Sequence, residues 1–266
     1  MIRIPILTYH SANVGGESYE CNDHVALARD LETIADLGKQ VVDLQTIADW
    51  VIGKAAPDAI ANGVGISFDD GCDFDFFARD FPGFGQQPGF RSILETHEGA
   101  RATAFVLASQ RAREEMDSKA LFGRGDMTTG WWREADESQL IRIENHGWDH
   151  SHPDLDEVVQ RDQIKGRFDA IDTFAECHQH VAVSAAEIAR HSSRYPRLFA
   201  YPFGNSSTYM REHYLPRYTH EHHTLAAFST AGRHVTADDS PWDIPRYVCG
   251  FHWRSPEALR ELLSSS

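Results

Sequence analysis

Val64-Gly65-Ile66-Ser67-Phe68-Asp69-Asp70-Gly71 is a short apolar run that stops on two adjacent carboxylates and a glycine. A run of this length bounded by a turn signal suits a fully buried strand. Carboxylates at the end of such a strand are costly unless a cation or hydrogen bonds hold them. Neighbouring side chains on an extended chain point opposite ways. A turn at Gly71 can nevertheless bring Asp69 and Asp70 to one pocket, one ligating a metal and the other free as a base. An Asp-Asp-Gly alone more often marks a turn or a helix cap, so the flanking sequence has to decide.

On either side, apolar runs alternate with helical patterns. Ile4–Tyr9 reads as a strand ending at His10. A helix capped by Asn22 or Asp23 runs through Leu37, with Leu27, Leu31 and Ile34 at helical spacing and Gly38 as its stop. Strands are predicted at Val41–Leu44, Val64–Phe68, Ala102–Leu107, Ile141–Glu144, Leu198–Tyr201, Leu225–Phe228 and Ile244–Val248. Helices are predicted near Phe90–Thr96, within Glu157–Ala189 in more than one piece, from about Ser207, and over Pro256–Leu263. Strand–helix alternation of this kind implies parallel strands with helical crossovers, an α/β fold built as a (β/α) barrel or a doubly wound sheet. No internal repeat or low-complexity linker divides residues 1–266, so one domain is expected, with long loop insertions near 72–88 and 109–133.

The 266 residues carry 25 Lys+Arg against 40 Asp+Glu, a formal net charge of −15. That balance leaves no excess of cations to neutralise phosphates and argues against a nucleic-acid partner. A hydrophobic fraction of 41% excludes a disordered class. Cys21, Cys72, Cys177 and Cys249 form no CxxC pair, which fits reduced thiols. No stretch approaches about 18 uncharged apolar residues, so no membrane span is expected. The opening residues lack the pattern of a signal peptide. The expected location is the cytoplasm.

A second polar segment, Asn145-His146-Gly147-Trp148-Asp149-His150-Ser151-His152, follows Ile141–Glu144. His146 and His150 are four apart, so on one helical turn their imidazoles would face the same side and grip one ion. Joined by an aspartate from the first segment, they make an Asp-His-His triad with positions left open for water and substrate, as a catalytic zinc needs. Tyr201-Pro202-Phe203-Gly204 turns abruptly after a strand, and Arg246 in Ile244-Pro245-Arg246 could clasp a carboxylate bidentately. The remaining histidines, His178, His180, His220, His222 and His223, read as solvated helix faces or a polar cluster.

The order of these motifs resembles that of the polysaccharide deacetylases, the NodB-homology or carbohydrate esterase family 4 group. Ser67–Gly71 matches [TS]-F-D-D-G in full, and His146 and His150 match H-[ST]-x-x-H with Gly147 in the Ser/Thr position. Pro202-Phe203-Gly204 matches R-x-P-[YFW]-G, but Ala200 replaces the usual arginine. Arg101–Val106 is similar to the family's A-T-F-F-V strand and Ile6–His10 to its Y-H strand, so the likeness spans about residues 4 to 250. It implies a distorted (β/α) barrel of about seven strands and a divalent metal, zinc by expectation, on Asp70, His146 and His150. It also implies Asp69 as the base that takes a proton from water. Arg246 is expected to stand in for the missing arginine, as an I-P-R segment does in an exopolysaccharide-deacetylase subgroup.

For the acid that protonates the leaving amine, His252 ranks first, then His10, then His152. Tyr201, Phe203, Gly204 and Trp148 are expected to bind the sugar, the aromatic faces by stacking. The implied reaction removes an N-acetyl group from a sugar or polysaccharide precursor, nucleotide- or lipid-linked, in surface polysaccharide (O-antigen or exopolysaccharide) biosynthesis. A metallophosphoesterase, hinted at by Glu144-Asn145-His146, and a carbohydrate-binding pseudoenzyme of the same fold are the competing readings.

Overall fold

The computed structural model describes residues 2–264. Its main sheet contains β1 (Ile6–Tyr9), the two-residue β2 (Gln40–Val41) and β3 (Gly63–Phe68). A two-stranded hairpin of β4 (Arg79–Phe81) and β5 (Gly85–Gln87) follows, outside that sheet. The main sheet then continues with β6 (Ala102–Val106), β7 (Ile141–Asn145), β8 (Leu198–Ala200), β9 (Ala226–Phe228) and β10 (Tyr247–Val248). Its strands run parallel in the order β10-β1-β3-β6-β7-β8-β9, with β2 beside β3. Between β9 and β10 the chain links the two sheet edges. Ile244 pairs with Phe228, and Tyr247 and Val248 pair with Leu7 and Thr8. This is the distorted (β/α) barrel expected from the strand alternation.

Strand pleating sends alternate residues to different apolar clusters. Leu7 and Tyr9 pack with Leu27, Leu31 and Ile34 of helix α1 (Asp23–Asp36). Ile6 packs with Phe105, Phe228 and Leu44 and Ile47 of α2 (Leu44–Val51). Helix α1 starts where expected because the Asn22 side chain accepts the His24 and Val25 N–H groups, and it ends before Gly38, whose φ is +64°.

Four expectations change. Val41–Leu44 is not a four-residue strand, because Asp43 caps α2 by accepting the Gln45 N–H, which recruits Leu44 into the helix. The 109–133 segment is not one long loop: Ser109 caps helix α4 (Gln110–Ala120), which follows α3 (Phe90–Glu95) and β6. Only Ala112, Arg113, Met116 and Asp117 of α4 are buried, too thin an apolar stripe to register as a period. The 72–88 segment is a single 3-10 turn (Asp73–Asp75) leading into the β4–β5 hairpin. Within Glu157–Ala189, the part before Thr173 holds only the short turns Asp162–Ile164 and Phe168–Ala170. Helix begins after the Thr173–Glu176 capping box and passes through a π turn, Gln179–Val183, into Ser184–His191.

Candidate active site

Each motif sits where a strand gives out. His10 follows β1, Asp69 and Asp70 follow β3, His146 follows β7, Phe203 and Gly204 follow β8, and Thr230 follows β9. These side chains, with His150, His152, Met116 and Val248, line one cavity of about 290 Å³. In (β/α) barrels the strand C-termini are where ligands are handled.

The Asp-Asp-Gly turn has a local cause. Asp70 and Gly71 both adopt left-handed backbone, φ +76° and +75°. A Cβ on Gly71 would lie 2.7 Å from a Val106 methyl, so glycine is the residue that lets the turn close against β6. The reversal leaves Asp69 buried and turns Asp70 to the cavity.

Asp70 Oδ1 lies 3.7 Å from His146 Nε2 and 3.6 Å from His150 Nε2. Donor atoms at about 2.0–2.2 Å from a tetrahedral ion stand roughly 3.3–3.6 Å apart, so one carboxylate and two imidazoles are spaced to share a divalent cation. His146 donates its Nδ1–H to the Ala200 carbonyl at 2.9 Å, which fixes the tautomer with the Nε2 lone pair towards Asp70. Burial lowers the pKa of His146 and pushes His150 down to about 3, so both rings are neutral and able to ligate. A mixed nitrogen and oxygen donor set of this kind suits zinc. The two histidines are not on a helical turn: His150 and Ser151 have φ +61° and +48°, and the loop itself folds both imidazoles inward.

Asp69 stands beside this trio, its Oδ2 4.0 Å from His146 Nε2. Both of its oxygens are taken by Arg246, which donates at 2.7 Å to Oδ1 and 2.9 Å to Oδ2. The guanidinium is fully buried, donates also to Ser67 Oγ at 3.1 Å and to the Ser229 carbonyl at 3.4 Å, and lies over the Phe105 ring. Burial by itself would push the Asp69 carboxyl up, but the charge and hydrogen bonds of Arg246 hold it well below the usual carboxylate range. The barrel-linking segment thus delivers the arginine that the Ala200 position lacks.

The structure separates the other expected residues. His10 lines the cavity, its Nδ1 buried without a hydrogen-bond partner, while its backbone N–H donates to the buried carboxylate of Asp23 at 2.8 Å. His252 does not line it: its Nδ1 accepts the Val248 N–H at 2.8 Å, and its ring packs against Gly232, Tyr247 and Phe251. Phe203, 40% exposed, sets its ring against His150 at 4.4 Å. Tyr201 is wholly buried and donates its hydroxyl to the Trp242 carbonyl, so it cannot stack on a sugar. Trp148 lines a different depression, with Arg111, Glu157 and Val158. The pair Trp131 and Trp132 is fully buried as well.

His180 and His222 are not solvated, as both are fully buried. Asn145 turns away from the cavity to donate to the Val181 carbonyl at 3.0 Å, so it is no metal ligand and the metallophosphoesterase reading loses its asparagine. Met116, Thr230 and Val248 were missed because they belong to no polar motif. Only their position at strand ends or on α4 brings them in.

No protein-family model matches the sequence and no curated protein does. Solved structures do. A Streptococcus pyogenes deacetylase, PplD, in complex with acetate is 17% identical, with a TM-score of 0.67 over 98% of both chains. IcaB from Ammonifex degensii is 18% identical, with a TM-score of 0.66 over 98% of this chain and 96% of its own. A polysaccharide deacetylase from Bacillus cereus is 13% identical, with a TM-score of 0.63 over 98% of this chain and 69% of its own. The chain therefore has the fold of the NodB-type polysaccharide deacetylases.

Proposed function

We propose that the chain is a metal-dependent N-deacetylase that hydrolyses the acetamide of an N-acetylated sugar to acetate and the free amine. The observation that carries this is the Arg246-clasped Asp69 carboxylate set beside the Asp70, His146 and His150 donors in one cavity. A divalent ion on those three donors would polarise the acetamide carbonyl and acidify a neighbouring water. Asp69 serves as the base that takes the water proton, its lone pairs kept ionised and aimed by Arg246. An amide nitrogen leaves poorly unless protonated, and His10 is the acid that meets it. Among the two highest-ranked candidate acids, His10 alone lines the cavity, and its Nδ1 is without a partner. Phe203, at the rim, offers an apolar face to one side of a sugar ring.

The cavity holds little more than a single sugar unit, at the small end of ligand pockets. The net charge of −15 disfavours polyanionic glycans. The four cysteines are free, as in a reducing compartment. A neutral N-acetylated precursor in the cytoplasm, nucleotide- or lipid-linked and destined for surface polysaccharide, fits these features. No helix among the described residues is long and apolar enough to cross a membrane.

Acetate release from a panel of N-acetylated sugar nucleotides and short glycans, before and after chelator treatment, is the direct test. Activity should vanish with the metal and return when zinc is restored; full turnover by metal-free protein excludes the proposal. His10→Ala should lower kcat by about 10²–10³-fold and leave zinc binding intact, whereas His252→Ala should change kcat by less than about threefold. The opposite ranking reassigns the acid.

A further inference from the structure

The loop that carries both imidazole donors is held in a backbone it would not adopt alone. Gly147, His150 and Ser151 all have positive φ, +93°, +61° and +48°. Left-handed backbone is unfavourable for a residue that carries a Cβ. Groups from several sides offset that cost. On the β6 side, the Ala108 and Ser109 N–H groups donate to the Gly147 and Trp148 carbonyls at 3.1 and 2.8 Å. From within, Asn145 Oδ1 accepts the Gly147 N–H at 2.8 Å, and Asp149 accepts the Ser151 and Val159 N–H groups at 2.9 and 2.7 Å. The remaining group comes from the π turn. His180, fully buried, accepts the Trp148 N–H on its Nδ1 at 3.3 Å.

Nothing else accounts for that imidazole. Its Nε2 has no hydrogen-bond partner, and the nearest carboxylate oxygen, Asp149 Oδ1, is 3.9 Å away. Its ring meets the edge of Phe168 at 5.1 Å. A π turn inserts a residue into helical register and is found disproportionately at functional positions. Here it coincides with the residue whose ring reaches the Trp148 peptide, while Val181 and Ser184 beside it hold Asn145 at the start of the loop. Gly147 completes the fit, because a Cβ there would stand 3.3 Å from His180 Nδ1 and 3.5 Å from Pro202 Cγ. A side chain at 147 and the imidazole at 180 contend for one space.

We propose that His180 is a positioning residue that clamps the Trp148 peptide and so holds His146 and His150 at the separation a shared divalent cation requires. The brace that a hydroxyl-bearing residue at 147 could supply from inside the loop comes instead from the neighbouring helix. This rests on the metal centre proposed above.

The test is calorimetric titration of zinc into chelator-stripped wild type, His180→Phe and His180→Gln, with the melting temperature of each measured without metal. His180→Phe, unable to accept the Trp148 N–H, should raise the zinc Kd by about 10–100-fold. His180→Gln, whose carboxamide oxygen can accept it, should recover most of that loss. If His180→Phe does not fold, His180→Leu, smaller and equally without an acceptor, takes its place. A role confined to packing would lower the metal-free melting temperature of the variants and leave Kd unmoved. A Kd within twofold of wild type in the Phe or Leu variant, or equal losses in Phe and Gln, overturns the clamp and leaves the metal centre standing. A wild type that binds no zinc overturns both.

Discussion

Asp69→Asn should lower the rate of acetate release by about 10²–10⁴-fold while zinc still binds one per chain. The amide keeps the size of the carboxylate but cannot take a proton from water. It also presents an NH₂ group to a guanidinium that now faces two acceptors at 2.7 and 2.9 Å, so one of those contacts becomes repulsive. Arg246 is then a buried charge without its partner, and some stability is lost with the activity. Metal content separates this from a loss of the centre: Asp69 is not one of the three donors that converge, whereas Asp70 is. Asp70→Asn should therefore weaken zinc binding, and Asp69→Asn should not. Activity within tenfold of wild type in Asp69→Asn removes Asp69 as the base.

Much of the frame behind this result was legible in the residues, for physical reasons that can be named. The strands buried on both faces, such as Val64–Phe68 and Ala102–Val106, are short apolar runs whose ends coincide with Gly or polar residues, and those ends were placed to within a residue or so. The carboxylate pair and the two histidines stood out because such groups are costly at the end of a buried strand. The linkage of Arg246 to Asp69 was an inference by substitution, since 177 positions separate them and no local pattern joins them. Side-chain direction was not legible. Tyr201 and Trp148 belong to motif segments, but a strand end or a loop can turn either way. Packing sends Tyr201 inward to the Trp242 carbonyl and Trp148 to another depression. His10 over His252 is likewise a matter of which histidine the barrel points at the cavity. His180 looked like a surface histidine because the groups it meets, the Phe168 ring and the Trp148 peptide, are not at helical spacing from it.

Arg246→Ala should cost activity by a route that the pH profile exposes. In the wild type, burial alone would raise the Asp69 pKa, and the guanidinium reverses the sign, leaving the carboxyl ionised far into the acid range. A folded-state pKa below the unfolded value contributes stability that is present above about pH 4 and is lost as pH falls through the folded pKa. Without Arg246 the burial effect loses its main opponent, and the Asp69 pKa rises. The acid limb of kcat/KM should then move to higher pH, and turnover should partly recover on the alkaline side, where the carboxyl ionises again. Breaking a buried pair by removing one partner costs about 3–5 kcal/mol when the other stays charged; protonation of Asp69 relieves part of that cost, so the stability deficit should widen as pH rises. Arg246→Lys keeps a charge but cannot grip both oxygens at once, so it should restore the acid limb further than the rate. Zinc content should stay at wild-type level in both variants, because Arg246 touches none of the three donors. An unchanged acid limb in Arg246→Ala would show that Asp69 does not set it, and the base would have to be sought elsewhere in the cavity.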